Sequence, residues 1–147
     1  MAKPSLKRST TRTQMRSANS AEVQSIDLMI KRVYAPQSDI DGFRVLIDRL
    51  WPRGLSKAKA AVDLWLRDIA PSTALRTWFN HDPARWIKFR RRYAAELDRI
   101  PSVVDQLLAQ VRQGRVTLLY SAQHETCNNA VALNEYLRSK LRHQSAE

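Results

Sequence analysis

Val45, Leu46 and Ile47 stand in a row, with Arg44 before them and Asp48 after. Successive residues of an extended chain point to opposite faces, so this run presents apolar side chains on both. Such a strand needs cover above and below, which makes it a central strand of a layered sheet. Val116, Thr117, Leu118, Leu119 and Tyr120 form a second run of strand formers. A short loop follows it, and then apolar residues at helical spacing: Ala130, Leu133, Leu137 and Leu141. Strand, loop and helix in this order favour parallel pairing.

The rest of the chain fills in around these two strands. Residues 28–34 (LMIKRVY) predict a first strand, 35–42 a loop with Pro36 and the DIDG string, and 43–50 the second strand. Ser56 can cap a helical turn over 57–61. Val62, Leu64 and Leu66 alternate as in a short strand, although Leu64, Trp65, Asp68 and Ile69 also fit helical spacing. Ser72 is placed to cap a helix over 73–79, and Asp82 followed by Pro83 opens the next. Trp86, Phe89, Tyr93 and Leu97 draw one apolar stripe along it, the pattern of a core-facing helix. Arg92 and Glu96 are spaced for an ion pair, Arg91, Arg92 and Arg99 form a solvated basic face, and Arg90 to Arg92 make the helix arginine-rich. Ser102 and Asp105 have the spacing of a capping box for a helix carrying Val104, Leu107, Leu108 and Val111, which Gly114 can end. The last helix is expected to start near Thr126. These elements predict an α/β fold, three-layer α/β/α with a short, mainly parallel sheet, in a single domain over residues 26–147.

With 147 residues, 44% of them apolar, and four tryptophans, the chain can build one core. No apolar run approaches the roughly 20 residues that span a bilayer, so no membrane partner is expected. The formal net charge is +11. Lys3, Lys7, Arg8, Arg12 and Arg16 against Glu22 give residues 1–25 a net +4, so the remainder is basic as well. Residues 1–25 are polar and lack apolar periodicity, the composition of a disordered arm. They have no apolar stretch of the secretory type, though an organellar transit peptide has a similar composition. Nucleic acid is a partner such an arm can hold, through release of counterions. The single cysteine, Cys127, excludes an internal disulfide and fits a reducing compartment.

Arg44, Asp48, Arg49 and Arg53 place four charges within ten residues, around a strand that enters the core. Buried charge is costly unless paired or used, so either an Asp–Arg network ties down the strand end or the cluster faces a ligand. In open α/β sheets ligands gather at the carboxyl ends of the strands. Residues 121–127 (SAQHETC) lie between a buried strand and a helix N-terminus, where free N–H groups attract anions. If Val45 and Leu118 lie on parallel neighbours, Arg49, Arg53 and Lys57 converge opposite that loop. The expected anion ligands are Arg32, Arg44, Arg49 and Arg53, with Asp48 orienting an arginine or acting as a base. Tyr120, Ser121 and Asn128 would add neutral hydrogen bonds from the other wall.

Sharper chemistries have weaker support. His81 beside Asp82 could be an oriented base, or simply a polar residue before a helix cap. Cys127 at a helix start could be an activated thiol, but the NNAVALN that follows holds no arginine for a phosphate, which favours a packed cysteine. His124 and Cys127 alone do not make a zinc site, and no metal is expected. The three glycines, Gly42, Gly54 and Gly114, form no phosphate-binding loop, and no cofactor is expected.

KRVY from Lys31, DGFRVLIDRLWPRG from Asp41, LWLRDIAPSTALRTWF from Leu64, HDPARWIKFRRRYAAEL from His81 and VTLLYSA from Val116 resemble the YeaO-like branch of the domain-of-unknown-function family DUF488. The resemblance covers about residues 28–140 and leaves out the basic arm. It implies a small, mostly bacterial, cytoplasmic α/β protein of a family without an assigned activity. It also implies motif positions at Arg32, Tyr34, Arg44, Asp48, Arg49, Trp51, Pro52, Arg53, Gly54, Ser72, His81, Tyr120 and Asn128. Other branches carry a Cys-His-Arg string near the last helix, where this chain has Cys127, Asn128 and Asn129, which weakens a thiol mechanism further. The leading functional expectation is binding, with turnover left open, of a small phosphorylated or nucleotide-like ligand. The alternatives are a nucleic-acid-binding accessory protein, using residues 1–25 and the arginine-rich helix, and a protein-interaction module.

Overall fold

Among the described residues four strands carry the fold: β1 (Leu28–Arg32), β2 (Phe43–Leu46), β3 (Leu64–Trp65) and β4 (Val116–Tyr120). The computed structural model describes residues 26–146, and the arm expected over residues 1–25 lies outside them. The sheet order is β1-β4-β2-β3 and every neighbouring pair is parallel. Val45 sits beside Leu118, Leu46 beside Leu119, and Arg32 beside Tyr120, so the carboxyl ends of the strands share one edge. Val45, Leu46, Ile47 and all of β4 are buried, as their two-sided apolar character requires. β1 and β2 are shorter than the expected 28–34 and 43–50. The ladder nevertheless runs one bond further on each, from Val33 N–H to Tyr120 O (2.8 Å) and from Ile47 N–H to Leu119 O (3.1 Å).

Five α-helices accompany them among the described residues: α1 (Lys57–Ala60), α2 (Thr73–Phe79), α3 (Trp86–Asp98), α4 (Pro101–Gln113) and α5 (Asn129–Ala146). The layers on the two faces of the sheet are unequal. On one face Leu28, Val45, Ile47, Val116 and Leu118 pack with Phe79, Phe89, Tyr93, Leu97, Leu107, Leu108 and Leu133 from α2 to α5. Fully burying such side chains contributes about 1.5–3 kcal/mol each. On the other face, among the described residues, Val33, Leu46 and Leu119 cluster with Ala60 of α1 and the partly buried Trp51, Leu55, Val62 and Trp65. Two indoles belong to this layer, Trp51 and Trp65 packing edge to face with centroids 5.3 Å apart. No helix among the described residues is long and apolar enough to cross a membrane.

Local chemistry sets the helix starts. Ser72 Oγ accepts from Leu75 N–H (3.1 Å), while Ser72 N–H and O–H donate to the two carboxylate oxygens of Glu96 (2.8 and 2.6 Å). Glu96 is therefore taken by Ser72 and not by Arg92, whose guanidinium lies over the Trp78 ring at 4.4 Å. Asp82 caps the 3₁₀ turn Pro83–Arg85 that leads into α3. The expected Ser102–Asp105 capping box does not form. Helix α4 begins at Pro101 behind Ile100, with no side-chain cap, because proline has no N–H to satisfy and its fixed φ already suits a first turn. Helix α5 begins at Asn129, not near Thr126, and Asn128 Oδ1 accepts from Val131 N–H (3.0 Å) as its cap.

Arg44 belongs to the architecture, a correction to its expected place among the anion ligands. It is 2% exposed. Nη1 meets Asp41 at 2.6 Å, while Nε and Nη2 donate to Ala61 O and Ala60 O at 2.9 and 2.7 Å. Lys31 closes on the other side of Asp41 at 2.9 Å, and Thr117 O–H donates to the Asp41 carbonyl (2.6 Å). The chain is tight at this corner. Gly42 has φ +69°, and a Cβ there would lie 2.4 Å from Arg115 O, so a larger residue would meet both strain and a clash.

Candidate anion site

At the carboxyl edge of the sheet the segment after β2, the end of β1, helix α2 and the β4–α5 loop enclose a cavity of about 500 Å³. This is the size range of small-molecule sites. Its polar lining is strongly cationic: Arg32, Arg49, Arg53 and Arg76 face a single carboxylate, Asp48. Pro52, Pro71, Phe79 and Phe89 give it apolar walls. Tyr34 and Leu50, 41% and 64% exposed, stand at its lip.

The four arginines are not equivalent. Arg32 donates from Nε to Ala122 O (2.9 Å) and from Nη2 to Ser121 O (3.0 Å), and its guanidinium lies 5.0 Å from the Tyr34 ring centroid. It ties the β4–α5 loop to β1 while adding charge to the cavity. Arg49 donates from Nη2 to Ala70 O (3.1 Å), and its Nε is buried without a partner among the described residues. Arg53 and Arg76 are exposed, and among the described residues neither side chain makes a hydrogen bond or ion pair. Their charge is available to a ligand. The Pro52-Arg53-Gly54 turn is held in place through Tyr34, whose hydroxyl donates to Arg53 O (2.8 Å).

Asp48 does not orient an arginine, a correction to that expectation. Its Oδ2 accepts from Ser121 N–H (2.9 Å) and Ser121 O–H (2.7 Å), and its Oδ1 accepts from Asn129 Nδ2 (2.9 Å). A carboxylate offers about four acceptor directions, so three are occupied. Asp48 and Arg32 thus grip the loop at Ser121 from two different strands. The Asn128 side chain is 1% exposed and committed to the loop, donating to His124 O (2.8 Å) while it caps α5. The amides of the loop are also engaged: His124 Nδ1 accepts from Cys127 N–H (3.1 Å) and Thr126 N–H (3.3 Å). Tyr120 is buried behind the wall and does not line the cavity. Burial and the charge of Glu125 push its hydroxyl above the usual tyrosine range, against Arg32 and Asn128.

His81 lines the cavity at the end of α2. Asn80 and His81 both hold left-handed backbone, with φ of +48° and +54°. Such conformations cost energy in residues with a Cβ and gather at functional sites. The partner expected for His81 is engaged elsewhere, since Asp82 accepts from Ala84 N–H (3.0 Å) and lies 3.8 Å from Arg85. The histidine ring instead leans on Phe79, with centroids 6.3 Å apart.

Of the residues expected to converge, Arg32, Asp48, Arg49, Arg53, His81, Ser121 and Asn128 line the cavity, whereas Arg44, Lys57 and Tyr120 do not. Arg76 and Asn129 were not anticipated. An arginine four residues after a serine cap is an ordinary helix-surface residue in a sequence, and only the α2 turn brings it to the cavity. Asn129 could have been noticed as a second amide beside Asn128 at a helix start.

Comparison with known proteins is consistent over nearly all of the described chain. The family model described as "Inactive DUF488-N3 subclade" matches residues 27–147. The uncharacterised protein YeaO of Escherichia coli is 41% identical over 114 residues, which cover 78% of this chain and 99% of YeaO. Uncharacterised proteins of Mycobacterium bovis and Mycobacterium tuberculosis are each 35% identical over 122 residues, covering 80% of this chain and 99% of theirs. No solved structure matches. The chain therefore belongs to the DUF488 family, in the subclade described as inactive DUF488-N3.

Proposed function

We propose that the cavity at the carboxyl edge binds a small organic anion, phosphorylated or nucleotide-like, without turning it over. The observation that carries this reading is the pair of arginines, Arg53 and Arg76, whose side chains have no partner among the described residues, at a cavity where four arginines face one carboxylate among those residues. Guanidinium groups suit phosphate and carboxylate because they donate two parallel hydrogen bonds. The apolar walls at Pro52, Pro71, Phe79 and Phe89 favour an anion with an organic body over a bare inorganic ion. Binding without turnover is favoured by what the residues lack. Asp48 is occupied by Ser121 and Asn129, His81 has no orienting partner among the described residues, and Cys127 is not among the lining residues. The description of the subclade as inactive agrees with this reading.

The test is a thermal-shift series on the full chain with inorganic phosphate, a sugar phosphate and a nucleoside monophosphate. A ligand at 100 times its Kd stabilises the folded state by about 2.7 kcal/mol. A saturable rise in Tm for an organic phosphate, absent in Arg53→Ala and in Arg76→Ala, supports the proposal. Equal shifts in the wild type and both variants would place the ligand elsewhere and refute it.

A further inference from the structure

Helix α3 also carries an exposed basic face. Helix α3 buries Phe89, Tyr93 and Leu97 on one side. On the opposite side Lys88, Arg91, Arg92, Ala95 and Arg99 are all exposed, at the i, i+3, i+4, i+7 and i+11 positions of one helix face. Among the described residues none of these four cations makes an ion pair with a carboxylate. The acids of the same helix are turned away and used: Glu96 accepts from Ser72, and Asp98 accepts from the Tyr136 hydroxyl (2.6 Å). Arg90, which the sequence grouped with Arg91 and Arg92, leaves the stripe and pairs with Glu135 at 2.7 Å. Arg92 is held by the Trp78 face, and Arg85 approaches the same ring at 5.3 Å, which fixes a further cation near the start of the helix.

We propose that this outer face of α3 binds the sugar–phosphate backbone of nucleic acid. An α-helix rises 1.5 Å per residue, so the stripe from Lys88 to Arg99 is about 16 Å long. The phosphates of a strand wind around the duplex as they rise along its axis, so a straight stripe of this length spans only a few of them, in keeping with its four cations. Ala95 in the middle leaves no bulk between the cations and an approaching backbone. Contacts of these cations to phosphates fix position and charge, so recognition there is of the backbone rather than of sequence. This site is separate from the cavity and does not depend on the reading given to it.

The experiment measures fluorescence anisotropy of a labelled 20-base-pair DNA duplex against the full chain over a series of salt concentrations. It compares the wild type with a Lys88→Gln, Arg91→Gln, Arg99→Gln triple variant. These three side chains are exposed and unpaired with carboxylates among the described residues, so the variant is expected to keep the wild-type Tm. Each phosphate neutralised adds about 0.9 to the slope of log affinity against log salt. The slope is expected to fall by about 2–3 in the triple variant, and polyglutamate at equal charge concentration is expected to compete poorly. An unchanged slope and affinity would assign DNA binding to another basic surface such as residues 1–25 and overturn the proposal. So would the absence of binding at low salt, or equal competition by polyglutamate, which would point to an acidic protein partner.

Discussion

Replacing Asp41 by asparagine is expected to harm this fold far more than removing the exposed arginines of the cavity. The carboxylate lies between Lys31 and the buried Arg44, so its loss leaves a guanidinium in the interior without a counter-charge. Breaking such a pair from one side costs about 3–5 kcal/mol. Burial alone would raise the Asp41 pKa, but Lys31, the Ser38 amide and Arg44 together hold it below the ordinary carboxylate value. A depressed folded-state value means that the contribution is fully present above the unfolded pKa and is lost as pH falls through the folded one. Urea midpoints of the wild type should therefore drop below about pH 4, the ordinary carboxylate range. Asp41→Asn should be destabilised at neutral pH and show a shallower loss in that window. Wild-type stability at neutral pH would contradict this role. His81 makes the opposite case. His81→Gly relieves a left-handed φ, so stability should hold or rise by up to about 1 kcal/mol, while affinity for an organic anion falls if the imidazole faces the ligand. The two measurements separate a strained functional residue from a structural one.

At the scale of elements, Ser72→Ala tests how the α2 wall of the cavity is fixed. The serine caps α2 and donates to Glu96 of α3, so one hydroxyl joins two helices. Loss of a cap costs about 1–2 kcal/mol, and urea denaturation should show at least that. A smaller effect would mean that Phe79 and Leu75 hold the helix through packing alone. The main elements were legible because their signals are local. Val45 to Ile47 and Val116 to Tyr120 carry apolar residues on both faces, and Ser72 and Asp82 cap within a few residues of themselves. Signals that need a distant partner were not legible. Arg44 looks like Arg49 and Arg53 until Ala60, Ala61 and Asp41 are seen around it. Arg92 is well spaced for Glu96, but Ser72 offers that carboxylate two donors from another element. Ser102 and Asp105 satisfy a spacing rule, yet the preceding proline sets the helix start.

For the whole molecule, parallel strand order is what brings charge to one place. Placing β4 between β1 and β2 sets Arg32, Asp48 and Ser121 at adjacent strand ends, and the turn after β2 adds Arg49 and Arg53. The convergence could be anticipated from the alternation of strands and helices, and Arg53 with it, while the part of Arg76 could not. Arg32 and Arg49 are partly consumed in holding loops, which leaves Arg53 and Arg76 as the pair that distinguishes a binding site from a structural network. Both are exposed surface residues, and removing them should alter stability by no more than about 0.5 kcal/mol. The most direct test is isothermal titration calorimetry of a nucleoside monophosphate into the full chain and into its Arg53→Ala, Arg76→Ala double variant. One saturable site in the wild type, lost in a variant of unchanged Tm, is the predicted result. No saturable heat in the wild type, or the same isotherm in both, would contradict an anion site at this edge of the sheet.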